Sequence, residues 1–119
     1  MSVVTDVIVL MPVDEDEVGF AVRQRNAFPR HPLNLVPRDV RSGSKVAQYE
    51  MFAGAFQAFP TEEFLRWCAR YEWKTYEDAQ VLIKEESWAR FRMLELTALS
   101  PQTDVEDFIR GNYFPENVE

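Results

Sequence analysis

The sequence predicts a small α+β domain, a mostly antiparallel sheet of about four strands with helices packed mainly on one face. Three observations predict it. Residues 3–11 form a β-branched, nearly continuous apolar run broken only by Thr5 and Asp6. Residues 46–73 join an aromatic strand to an amphipathic helix across Pro60. Residues 80–97 then offer two further strand-like runs. At 119 residues the chain is long enough to bury one core and too short for two domains, so residues 1–119 are read as a single domain.

The run at 3–11 is short, unalternating and closed by Pro12, which suits a central strand covered on both faces. Asp14, Glu15, Asp16 and Glu17 follow, and acids placed before a helix favour its dipole, so a helix is expected near 15–25. The strand at 46–59 is aromatic-rich and contains Gly54 between two alanines. A glycine inside a strand predicts a bulge that switches the buried face. After Pro60, Thr61 is expected to cap a helix over 61–73, with Glu62 and Glu63 in its first turn. Phe64, Leu65, Cys68, Ala69 and Tyr71 fall on one helical face. Residues 80–86 and 89–97 read as a hairpin because Val81, Leu82 and Ile83 favour a strand. A single helix over 85–98 is the competing reading, from the strong helix formers there. Thr103 and Glu106 form a capping box ahead of Val105, Phe108 and Ile109, predicting a helix over 103–110, and the tail at 115–119 is expected to fray.

The formal charge of -7 is unevenly placed. Residues 23–45 carry six cations, Arg23, Arg25, Arg30, Arg38, Arg41 and Lys45, against the single acid Asp39. With Pro29, Pro32 and Pro37 this segment reads as a long basic connection, its middle pinned by Leu33, Leu35 and Val36 or forming a short edge piece. The acidic balance elsewhere argues against nucleic acid or a membrane surface as partner, and no run approaches a membrane span of about 20 apolar residues. A single cysteine gives no internal disulfide, and the first apolar run lacks a basic n-region or cleavage site, so a cytoplasmic location is expected.

Catalytic signatures are mostly absent. One His and one Cys cannot build the usual zinc sites, and no P-loop, GxGxxG or HExxH occurs. Asp14, Asp16 and Gly19 match three positions of a calcium loop, but Val18 and Arg25 stand where ligands are needed. Cys68 falls on the buried helix face and reads as a small hydrophobe rather than a nucleophile. No catalytic residue, metal site or cofactor is therefore expected. Arg30, His31, Arg38 and Arg41 remain as a candidate anion site, although pairing of the connection's arginines with acids on the same protein is the favoured reading. Trp67, Trp73 and Trp88 are candidate interface anchors, as large aromatics beyond what one core easily buries.

The strand–helix–hairpin layout, small size and acidic pI resemble those of small bacterial interaction proteins such as toxin-immunity proteins. That resemblance implies an immunity- or inhibitor-like role. The residues themselves favour a non-enzymatic protein acting through an acidic surface on a basic protein partner. The alternative is a pocket at the basic connection holding an anionic ligand, as a binding domain or an enzyme. A homodimer is favoured over a monomer, from the aromatic excess and the long strand holding Phe52 and Phe56.

Overall fold

The computed structural model describes residues 3–74 and 78–96. The expected first strand, β1 (Val4–Pro12), forms and lies in the middle of a sheet. Its β-branched residues suit a pleated backbone, and the period of two sorts them. Thr5, Val7, Val9 and Met11 are buried, whereas Val4, Ile8 and Leu10 are only partly covered and Asp6 is exposed. Coverage on both faces was expected; one face is fully covered.

After a turn closed by Glu15 N donating to Pro12 O at 3.0 Å, helix α1 (Glu17–Ala27) begins. The Asp16 carboxylate caps it, accepting from Gly19 N at 3.0 Å. The helix starts and ends two residues later than the acidic run suggested, because Asp16 is the cap and not the first turn. It buries Phe20 and Gln24 and leaves Val18 and Val22 exposed.

The basic connection is shorter and more ordered than its prolines implied, since residues 23–27 belong to α1. A three-residue edge strand, β2 (Asn34–Val36), and a short 3-10 helix (Arg38–Arg41) follow. Next comes β3 (Tyr49–Gln57), which starts three residues after the expected boundary. Its pairing with β1 runs unbroken from Val4 opposite Gln57 to Pro12 opposite Tyr49. Gly54 therefore marks no bulge. The Phe56 ring lies over it, and a Cβ there would fall 2.6 Å from the ring, so the glycine makes room for an aromatic side chain.

Helix α2 (Thr61–Arg70) buries Phe64, Leu65, Cys68 and Ala69, the expected face. Thr61 is not its cap. Pro60 takes that position, Thr61 N donates to Phe59 O at 2.9 Å, and Thr61 Oγ1 is buried without a partner. The helix stops three residues early, where the Trp73 indole N–H donates to Cys68 O at 2.9 Å. Strands β4 (Gln80–Glu85) and β5 (Arg92–Glu95) then form the hairpin, and the single-helix alternative is excluded. Ser87 and Trp88 lie in a longer connection than a tight turn, so β5 begins at Arg92 and not at 89. The expected helix at 103–110 and the tail lie outside the described residues.

The described strands make one antiparallel sheet in the order β2-β3-β1-β4-β5, five strands where about four were expected. Val9 sits opposite both Phe52 and Val81, and Val81 opposite Leu94, so the buried residues share one face. Both helices cover that face. Phe20 of α1 meets Phe52 of β3 at 5.1 Å between ring centroids, and Trp67, Tyr71 and Trp73 at 5.7, 5.5 and 5.5 Å. Aromatic contacts of this kind add about 0.5–1.5 kcal/mol each beyond area burial. Replacing Phe20 with Ala should lower stability by about 3–5 kcal/mol, read from the urea midpoint at unchanged slope; a loss under about 1 kcal/mol would show that α1 is held elsewhere.

Candidate interaction site

The start of α1 and the exit of α2 meet at one rim of the helix layer. Glu15 is 5% exposed, and its Oε2 accepts from Lys74 N at 3.0 Å, tying the turn before α1 to the chain after α2. One turn along α1, Arg23 Nη1 donates to the Tyr71 hydroxyl at 3.1 Å, with its guanidinium 5.8 Å from the Tyr71 ring centre. Burial pushes the Tyr71 hydroxyl up from its ordinary range, and Arg23 opposes the shift. Between these ties lies a hollow of about 310 Å³ lined by Glu15, Asp16, Arg23, Tyr71, Glu72 and Lys74. Asp16 and Glu72 line it and are exposed, as are Arg23 and Lys74, and Asp14 is exposed two residues before Asp16.

A second carboxylate group stands nearby. Glu50 lies opposite Met11 on the helix-covered face of the sheet and is buried. Arg38 Nε approaches Glu50 Oε2 at 3.6 Å. Glu17, in the first turn of α1, is held above the ordinary carboxylate range by partial burial, then by a side-chain hydrogen bond to Glu50 and that group's charge, with Arg38 opposing. Partial burial and a neighbouring carboxylate both favour the protonated form of Glu17.

The four residues expected to bind an anion fall into two pairs. Arg30 and His31 line a shallower hollow of about 270 Å³ with Phe28, Pro60 and Glu63. There the His31 ring stands edge-on to Phe56 and Phe59 at 5.3 and 5.4 Å. His31 O accepts from the buried Gln24 amide, whose oxygen accepts from Leu33 N, both at 2.9 Å. Arg38 and Arg41 lie instead on the 3-10 helix. Arg38 faces Glu50, and Arg41 Nη2 donates to Val36 O at 3.2 Å.

The tryptophans are half-buried. Trp67 packs among Phe20, Phe28, Phe64 and Tyr71, and Trp73 stacks on Phe20. Trp88 carries the Arg92 guanidinium 4.1 Å above its ring centre. Strand β3 pairs with β1 along its length but with β2 only at Met51, Phe52 and Ala53, so residues 54–57 have no strand partner on that side among the described residues, and Phe52 is buried. Sequence reasoning missed Glu50, Gln24, Tyr71 and Lys74. Glu50 alone gave a signal, as an acid inside an aromatic strand.

Burial pushes the Cys68 thiol well above its ordinary value, as suits a packed hydrophobe. Among the described residues no group of three or more His, Cys, Asp or Glu could hold a metal ion, and no helix is long and apolar enough to cross a membrane. No protein-family model, curated protein or solved structure matches the chain.

A carboxyl held above its ordinary range binds its proton more tightly in the folded chain than in the unfolded one. Its contribution is full below the ordinary carboxylate range and is lost as pH rises through the raised value. The amide introduced by Glu17→Gln would donate to Glu50 at every pH. That variant should therefore melt on the order of 2 °C above the native chain at neutral pH, with the gap closing toward pH about 4. A gap that ignores pH would speak against the raised Glu17 carboxyl; thermal unfolding across pH 4–8 (roughly the span set by carboxylate titration) reads it.

Proposed function

We propose that the chain is a non-enzymatic binding protein that engages a basic protein partner through the acidic rim at the start of α1. One observation carries this reading: Arg23, Arg38 and Arg41 each have a partner on the protein itself, whereas acids around the hollow beside Tyr71 are exposed. Arg38 lies against Glu50, Arg41 against Val36 O and Arg23 against Tyr71, while Asp14, Asp16 and Glu72 remain exposed. An outward acidic rim on a chain of net charge -7 attracts cations at long range and selects against acidic surfaces. The hollow at its centre adds a Tyr71 ring and shape to that attraction. An immunity- or inhibitor-like role is of this kind. A cytoplasmic setting suits the lone buried thiol.

An anionic ligand at the Arg30–His31 hollow is the second reading, on the strength of two basic side chains lining one depression. Glu63 lines the same depression and opposes an anion there. The rim reading is preferred for that reason.

Immobilised native chain and an Asp14→Lys/Glu72→Lys variant, exposed to cell lysate at low and high salt, test the two. The rim reading expects basic proteins to be retained by the native chain at low salt, released by salt, and lost from the variant. Retention that the variant leaves unchanged, or none at all, would remove it. The second reading expects phosphate or nucleotides to raise the melting temperature; a ligand at about 100 times its Kd adds about 2.7 kcal/mol.

A further inference from the structure

We propose that the chain pairs with a second copy of itself about a two-fold axis, through the end of the sheet where α1 begins and β3 starts. The topology brings several segments to that end. Strand β1 finishes there at Pro12, opposite Tyr49 at the start of β3. Strand β2 finishes there at Val36, opposite Met51, and the 3-10 helix and the chain leading into β3 follow. Glu50 ties these segments together. Arg38 of the 3-10 helix reaches its carboxylate at 3.6 Å, and Glu17 of α1 hydrogen-bonds to it.

Two unlike halves result, side by side. On the α1 side Asp14, Glu15, Asp16 and Glu17 follow one another between Val13 and Val18, with no cation among them. Asp14 and Asp16 are exposed, and Val18 is 69% exposed. On the other side residues 38–46 carry Arg38, Arg41 and Lys45 against the single acid Asp39. Val40 and Val46 stand among these cations at 69% and 60% exposure. Among the described residues, neither the Asp14 carboxylate nor the Lys45 ammonium has an ion-pair partner within the chain. Single exposed aliphatic residues are ordinary on a surface, but Val13, Val18, Val40, Val46 and Tyr49 gather at one end.

Charge complementarity between the halves selects the occupant. A two-fold axis between two copies sets the acidic half of each on the basic half of the other, so every contact is made twice. Both halves bring exposed valines to that contact. A foreign basic partner would meet only the acidic half, whereas a second copy uses both. The net charge of -7 opposes approach at long range. At physiological salt that repulsion is screened beyond about 8 Å, and the local pairing decides.

Sedimentation equilibrium of the pure full chain at physiological salt tests this. No foreign partner is present, so its outcome is independent of the lysate capture. The native chain is expected to move from one chain mass toward two as concentration rises. Asp14→Lys and Lys45→Glu should each raise the dimer Kd by about tenfold or more, because each sets like charges together twice. An equimolar mixture of the two variants should recover the native dimer, since every altered contact again joins opposite charges. A single chain mass at every concentration overturns the proposal and leaves the patch to a foreign partner. So does a dimer that both changes leave intact, which places the contact elsewhere, or a mixture that stays monomeric.

Discussion

Helix α1 fully buries one ring and one amide, with Ala21 packed against the core beside them, and much of the rest depends on that placement. Of its residues only Phe20 and Gln24 are fully buried. Phe20 reaches the sheet through Phe52 and reaches α2 and its exit through Trp67, Tyr71 and Trp73. Gln24 bonds His31 O and Leu33 N, and so fixes where the connection turns into β2. Both bonds of the amide are internal, and leaving either backbone group unmet in a buried place costs about 1–3 kcal/mol. An amphipathic helix spreads its attachment over several residues; α1 concentrates it. The acidic rim, Glu17 above Glu50 and the Arg23–Tyr71 contact are all positioned by this one placement.

The electrostatics follow from the same placement. A basic connection on an acidic protein can face outward and collect anions, or inward and neutralise its own body. Arg38, itself exposed, reaches a buried carboxylate, and Arg41 reaches a backbone carbonyl. The buried carboxylate sits on the helix-covered face of β3, where a lone charge would be costly. Arg38 lowers that cost, and the acids around the hollow beside Tyr71 are among those left outside.

Much of this architecture was legible in the sequence, for reasons of length and periodicity. The β-branched run of β1, the apolar face of α2 and the Val81–Ile83 core of β4 each carry several agreeing residues. A three-residue β2 among prolines offers no period to read, so the edge piece around Leu35 and Val36 was one of two alternatives, and pairing with β3 settles it. Gly54 was misread because a strand glycine signals both a bulge and a covering ring, and only the position of Phe56 separates them. The candidate site was less legible. It joins Glu15 to Lys74 and Arg23 to Tyr71, residues far apart in the chain that no local spacing connects.

The central place of β1 bears on how the chain comes into being. Val9 lies between Phe52 and Val81, so the earliest strand has both neighbours far downstream. During synthesis at about 5–20 residues per second, its apolar face and both its edges wait several seconds for β3 and longer for β4. Non-local pairing also slows folding of the finished chain, because loop closure precedes the contacts that reward it. A nascent chain in which residues 3–11 have emerged before β3 and β4 thus offers a sticky, unpaired strand, and holding chaperones or slower downstream codons would matter more here than in a fold whose earlier strand sits at an edge.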